Sequence, residues 1–275
     1  MVYRIQDGKT AEALFAGWEE SLIWSCLRGT MGYLYADAQE EPHSAMAILG
    51  DFVFFAGKPN RELAAYKPDW CTRDFIIAVP QGQGWADVIE DCWREKAKKV
   101  VRYAMKKEQD VFDRDRLRSI VAGLSPEYTI SLLDEGLYDY CRKTDWCGDF
   151  VSQFADWKTY RELGLGVMVL KDKIPVAGAS SYSVYRGTGG RDETGINDRR
   201  DEAGRNGGIE IEIDTREDCR RQGLASVCGA RLILECLDRG LYPSWDAQNR
   251  WSVSLAEKLG YHFSHEYTAY EIQGY

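Results

Sequence analysis

The sequence has no apolar run approaching the roughly 18 residues that a membrane helix needs. Its first residues, Met1 to Thr10, are polar and charged where a signal peptide would carry its apolar stretch. A cytoplasmic protein with no membrane partner is therefore expected. Histidine is scarce, and His43, His262 and His265 form no plausible zinc cluster with the eight cysteines, among which there is no Cys-x-x-Cys pair. No metal is expected. The thiols are expected to be reduced and buried, Cys228 and Cys236 because they share an apolar helical spacing. Basic residues are outnumbered, 35 Lys and Arg against 44 Asp and Glu, which removes bulk attraction to nucleic acid phosphates. The same surface would draw a cationic acceptor such as an amine.

What is present is enough for a large core. A chain of 275 residues is long for one α/β domain and comfortable for two, and it can bury that core without disulfides. Helical apolar spacing runs over Ala11 to Arg28, followed by extended segments at Met31 to Ala36 and Ala45 to Ala56. Phe75 to Val79 reads as a buried strand, Trp85 to Lys96 as a helix and Val100 to Met105 as a strand. A charged stretch then leads to a domain boundary near residue 125.

Beyond that boundary the pattern is fuller. Tyr128 to Leu133 reads as a strand and Leu137 to Arg142 as a short helix. Asp149 is a candidate N-cap for a helix reaching about Leu163. Leu165 to Lys171 and Val176 to Tyr185 form a strand pair. Residues 187–206 hold one large apolar residue, Ile196, and are expected to form a solvated, mobile loop that lacks the ligand spacing of a calcium site. Ile209, Ile211 and Ile213 then alternate strictly with Glu210, Glu212 and Asp214, the pattern of a strand with one apolar face. Leu224 to Leu237 is a helix, Leu241 to Trp245 a short strand, Ser252 to Leu259 a helix closed by Gly260, and Tyr261 to Ile272 one or two strands.

The informative segment is Thr215-Arg-Glu-Asp-Cys-Arg-Arg-Gln-Gly-Leu-Ala225, between the alternating strand and its helix. A helix N-terminus carries unpaired N–H groups and partial positive charge, which suit a phosphate. Gly223 lets the backbone approach an anion, Ala225 keeps the first turn small, and Arg220 and Arg221 add charge. The preceding strand can pair with an extended, amide-containing arm. An amide arm ending in a pyrophosphate describes coenzyme A.

Arg220-Arg-Gln-Gly-Leu-Ala225 resembles the R/Q-x-x-G-x-G/A motif of the GNAT superfamily of N-acetyltransferases, which likewise follows a strand and opens a helix. Asn249-Arg-Trp-Ser-Val-Ser-Leu-Ala-Glu-Lys-Leu-Gly-Tyr261 resembles that family's second element, and the two lie in the family's order. The resemblance covers residues 127–275. It implies an α/β (α+β) protein whose C-terminal domain, 125–275, has the acyl-CoA N-acyltransferase fold with a mixed, mostly antiparallel sheet. The N-terminal α/β domain, 1–124, has an order of elements that allows either a degenerate copy of that fold or a separate cap walling the acceptor groove. The overall layout is similar to a group of GNAT-related proteins with an added N-terminal domain.

By that resemblance acetyl-CoA is the cosubstrate. Backbone groups of Ile213, Asp214 and Thr215 would meet pantetheine, the segment Arg220, Arg221, Gln222, Gly223, Leu224 and Ala225 would hold the pyrophosphate, and Asn249 and Ser252 would line the other side of the arm. Glu210 and Glu212 are candidates for a general base. Many relatives place a proton-donating Tyr four residues before the final Gly, where this chain has Ala256. Tyr261 is the nearest candidate acid, with Tyr267 and Tyr270 close in sequence, although each suits a core or groove equally. The leading expectation is transfer of acetyl to a primary amine of a small molecule or peptide by a monomer or homodimer. A CoA-binding sensor or interaction module without turnover is the alternative. An aminoacyl transferase using charged tRNA is disfavoured by the net charge.

Overall fold

The computed structural model describes residues 1–187 and 206–275. The segment 187–206, read above as a solvated loop, lies outside the described residues apart from its two ends. The chain begins with β1 (Tyr3–Ile5), α1 (Lys9–Glu12), α2 (Ser21–Leu27), β2 (Tyr33–Ala36), β3 (Ser44–Leu49), β4 (Phe52–Gly57), α3 (Arg61–Ala64), β5 (Phe75–Pro80), α4 (Gln83–Trp93) and β6 (Ala97–Met105). It continues through α5 (Arg114–Ala122), β7 (Tyr128–Leu132), α6 (Glu135–Cys141), α7 (Trp157–Leu163), β8 (Gly166–Lys171), β9 (Ile174–Arg186) and β10 (Gly207–Thr215). The last elements are α8 (Leu224–Asp238), β11 (Leu241–Ser244), β12 (Asp246–Ala247), α9 (Arg250–Leu259) and β13 (Phe263–Gln273).

Residues 1–102 and 266–275 form one compact unit, and residues 103–265 another. This division falls earlier than residue 125 because α5 packs on α8 within the second unit. The final residues join the first unit because Tyr270–Gln273 pair antiparallel with Phe75–Ala78 of β5.

In the first unit β1 to β4 form an antiparallel meander, and β4 pairs parallel with β5 across a crossover containing α3. Residues 45–56, apolar on both faces, give no alternation to read. They fold as a hairpin whose turn uses Gly50 at φ 60. The helix expected over 11–28 is broken, because Gly17 at φ 83 separates a 3-10 turn ending at Phe15 from α2. Met46, Ile48, Val53, Phe55, Ile76, Trp85, Ile89 and Tyr270 build the core.

The polar groups at the end of β4 and the start of α3 are taken up by local side chains. Asn60 Oδ1 accepts from the N–H groups of Glu62 at 2.9 Å and Leu63 at 3.2 Å. Gln81 Oε1 accepts from Gly57 N–H at 2.8 Å, its own N–H reaches the Phe55 carbonyl at 3.0 Å, and Trp85 Nε1 donates to the Gly57 carbonyl at 2.9 Å.

The second unit repeats the scheme. Strands β7 to β10 are successively antiparallel, and β10 pairs parallel with β11 across α8. Helix α8 covers one sheet face, where a Cβ added at Gly229 would meet Leu259 Cδ1 at 2.6 Å and Ile213 Cδ1 at 3.5 Å. The opposite face is held by Tyr160, whose hydroxyl donates to Ser180 Oγ at 2.8 Å while Ser180 donates to the Phe150 carbonyl at 2.7 Å. The helix expected from Asp149 starts later. Residues Asp145–Phe150 form a 3-10 turn, and Asp156 is the cap of α7, accepting from Thr159 N–H at 2.7 Å. No helix among the described residues is long and apolar enough to cross a membrane.

Seven of the eight cysteines are buried and Cys92 is half-buried. Burial disfavours the thiolate and pushes Cys26 and Cys228 up to about 12. A small disulfide reagent at pH 8 is therefore expected to label no more than one thiol per native chain and all eight after denaturation. Rapid labelling of several native thiols would contradict this packing.

Candidate active site

The site develops where β10 and β11 part. Their parallel register runs over Gly207–Glu210 against Leu241–Ser244 and stops, while β10 continues to Thr215. Five further residues of strand, Ile211 to Thr215, about 16 Å at 3.3 Å per residue, therefore extend β10 without a β11 partner. Thr215 uses its N–H and carbonyl on that open side: the N–H meets Asp214 Oδ1 at 2.6 Å, and the carbonyl accepts from Arg220 Nε at 3.0 Å. Backbone groups of a strand alternate in direction, so Ile213 and Ile211 present theirs to the same open edge.

The outer end of this slot widens into a cleft of about 420 Å³, lined by Ile213 to Thr215, the turn to α8, and Leu255 and Lys258 of α9. Within the turn Arg221 at φ 62 and Gly223 at φ 79 are both left-handed, so successive N–H groups curve inward as an anion-binding nest. Gly223 is the N-cap of α8 and supplies no side chain, which leaves the first-turn amides uncapped. A Cβ at Gly223 would meet no atom of the described residues within 4 Å. Thr215 Oγ1, buried at the cleft wall, has no hydrogen-bond partner among the described residues. An open nest, uncapped amides and an orphaned hydroxyl fit an anionic ligand with an amide-bearing arm.

Glu210 lies at the apex, the last β10 residue paired with β11. It is buried, and its Oε2 accepts from Ser244 Oγ at 2.7 Å. Ser244 Oγ in turn accepts from Lys107 Nζ at 2.6 Å. Beside them the β9–β10 register shifts after Glu210, skipping Tyr182, so that Ser183 faces Glu210 and Ser181 faces Ile211. Ser183 Oγ is buried without a hydrogen-bond partner among the described residues. Such a bulge re-aims backbone and side chains locally. Glu212 lies two residues along β10 on the Glu210 face and is half-buried.

The remaining candidates are placed differently. Asn249 caps α9, its Oδ1 accepting from Ser252 N–H at 3.0 Å, and Ser252 Oγ accepts from Trp245 Nε1 at 3.0 Å. Gln222 Oε1 accepts from the Tyr128 hydroxyl at 2.6 Å. Tyr261 is buried against Trp245 and Phe112, and its hydroxyl donates to the Pro243 carbonyl at 2.6 Å. Burial raises its pKa well above the ordinary phenol value, so the phenol stays protonated with its proton committed to that carbonyl. Ala256 is fully buried on α9. Sequence reasoning missed Ser244, Lys107, Ser183, Leu255 and Lys258. Only the polar Ser181 and Ser183 inside an otherwise apolar strand, and the i, i+3 spacing of Leu255 and Lys258, were visible as signals.

Because Gly223 has open space but a left-handed backbone, Gly223→Ala is expected to lose about 1–2 kcal/mol of stability from backbone strain alone. Chemical denaturation measures this, and an unchanged midpoint would mean the turn relaxes to another conformation.

Comparison with known proteins gives the family and the fold. The chain matches the GNAT acetyltransferase family over residues 12–189 and 203–270. The crystal structure of a GCN5-related N-acetyltransferase-like protein from Streptococcus suis is 41% identical and superposes with a TM-score of 0.84, covering 97% of this chain and 98% of that one. A GCN5-related N-acetyltransferase from Kribbella flavida shares the fold at 14% identity and a TM-score of 0.54, over 94% and 96% of the two chains. A tandem GNAT protein from the clavulanic acid biosynthesis pathway also shares the fold, at 11% identity and a TM-score of 0.54, over 100% and 99%. An uncharacterized N-acetyltransferase from Bacillus subtilis (strain 168) is 43% identical over 63 residues, 22% of this chain; the match spans 24%, about a quarter, of that relative's length. With a family match over most of its length and a 41% identical structure along nearly all of it, the chain belongs to the GNAT acetyltransferase family.

Proposed function

We propose that this protein transfers an acetyl group from acetyl-CoA to a primary amine of a small molecule or peptide by direct attack. The observation that carries the reading is the parting of β10 and β11 at Glu210 and Ser244, with the slot leading from that apex to the nest at Arg221–Ala225. Acetyl-CoA supplies the thioester. Ile213 offers outward backbone groups to the arm, the uncapped amides of α8 hold the pyrophosphate, and Thr215 Oγ1 gains a partner.

Glu210 is the base we assign. It is a buried carboxylate at the closed end of the slot, oriented by Ser244 and, through it, by the charge of Lys107. It removes the proton of the acceptor amine directly or through a water. Glu212, on the same face, is the second choice. No phenol stands at position 256, so the leaving thiolate takes its proton from solvent.

Titration calorimetry should give saturable acetyl-CoA binding, weakened at least tenfold by Gly223→Val; no binding by the wild type would reject the donor assignment. With amine acceptors, free thiol release should appear in the wild type. It should drop about 10²- to 10⁴-fold in Glu210→Gln at unchanged acetyl-CoA affinity. If Glu212→Gln shows that drop and Glu210→Gln does not, the base is Glu212. The buried Ala256 favours a second reading, a CoA-binding module without turnover, which tight binding with no thiol release across a broad amine panel would establish.

A further inference from the structure

Trp251 is 86% exposed, the most open large apolar side chain among the described residues. A single exposed aromatic is ordinary, but the position of this one is not random. Trp251, Leu255 and Lys258 stand at i, i+4 and i+7 on α9, within about 60° of one another at 100° per residue. The last two line the cleft. Trp251 therefore extends the cleft-facing stripe by one turn.

Its level is fixed by the helix packing. Two contacts along α8 and α9 show that the helices point the same way. Leu259 lies against Gly229, and Leu255 shares the cleft wall with Ala225 and Ser226. Trp251 lies four residues, about 6 Å at 1.5 Å per residue, above Leu255, whereas Ala225 is only the second residue of α8, so the indole stands beyond the start of α8, at the level of the turn that holds Arg221 and Gly223. The neighbouring Arg250 is held elsewhere, its guanidinium 4.6 Å from the Tyr103 ring centroid and 5.7 Å from that of Phe263. Among the described residues no ring, cation or hydrogen-bond partner meets the Trp251 indole.

We propose that Trp251 is a specificity-determining residue for the donor, its indole receiving the adenine base of the CoA nucleotide. This rests on the CoA reading of the cleft. The slot takes the arm inward from the nest, so the nucleotide, joined on the far side of the pyrophosphate, must lie outward. That is the level at which the indole stands. Base–aromatic stacking is tolerant of detail and loses roughly 5- to 100-fold in affinity when the aromatic is truncated.

The test is calorimetry on the full chain with two ligands, acetyl-CoA and acetyl-phosphopantetheine, the second lacking the nucleotide. Trp251→Ala should weaken acetyl-CoA binding by 5- to 100-fold and leave acetyl-phosphopantetheine unchanged, while Trp251→Phe keeps most of the affinity for both. An unchanged melting temperature is expected for an exposed side chain and checks folding. Equal acetyl-CoA affinity in Trp251→Ala, or equal losses for both ligands, overturns the assignment while the cleft reading stands. Absence of acetyl-CoA binding by the wild type overturns both.

Discussion

The constraint on which the second unit turns is the place where two parallel strands stop sharing hydrogen bonds. A parallel pair normally continues while both strands last. Here β11 ends at Ser244 while β10 runs on to Thr215. Backbone groups left on a strand edge demand partners. The chain supplies them at Thr215 from Asp214 and Arg220. The nest follows from the same departure, because the turn from β10 into α8 must reverse direction quickly and does so with two left-handed residues.

The first unit shows what happens when the same scheme is filled from within. It has the antiparallel run, the parallel pair and the intervening helix, yet Asn60 caps α3, Gln81 pairs with the end of β4 and Trp85 reaches the Gly57 carbonyl. Its helix is four residues long, against fifteen for α8. A short, capped helix has neither free amides nor the dipole that draws an anion. One architecture thus gives one open cradle and one stoppered one, and the difference lies in three side chains and a helix length.

Much of the second unit was legible in the sequence because its signals are local. Strict Ile/Glu alternation marks β10, and Arg220 to Ala225 marks a turn into a helix. What was not legible depends on distance or on competing local chemistry. Ser244 and Lys107 reach Glu210 from 34 and 103 residues away, and nothing near them announces the meeting. The helix misread over 11–28 had correct apolar spacing, but Gly17 takes a conformation no other residue favours. Asp149 and Asp156 are equally good caps in isolation, and the tight 3-10 turn at Asp145–Phe150 decided between them. The paired apolar faces of 45–56 hid a hairpin, since strands buried on both sides carry no period.

Strand β13 ties the end of the described chain to the first unit. Residues Tyr270 to Gln273 sit beside β5, although nearly two hundred positions of chain separate them. During synthesis the amino-terminal sheet accordingly remains a strand short until residues 270–273 have been made, with Ile76 and Ala78 lacking their Ile272 and Tyr270 neighbours. The two units cannot mature in sequence as beads on a string, and removing residues 270–275 would strike the half of the molecule encoded first.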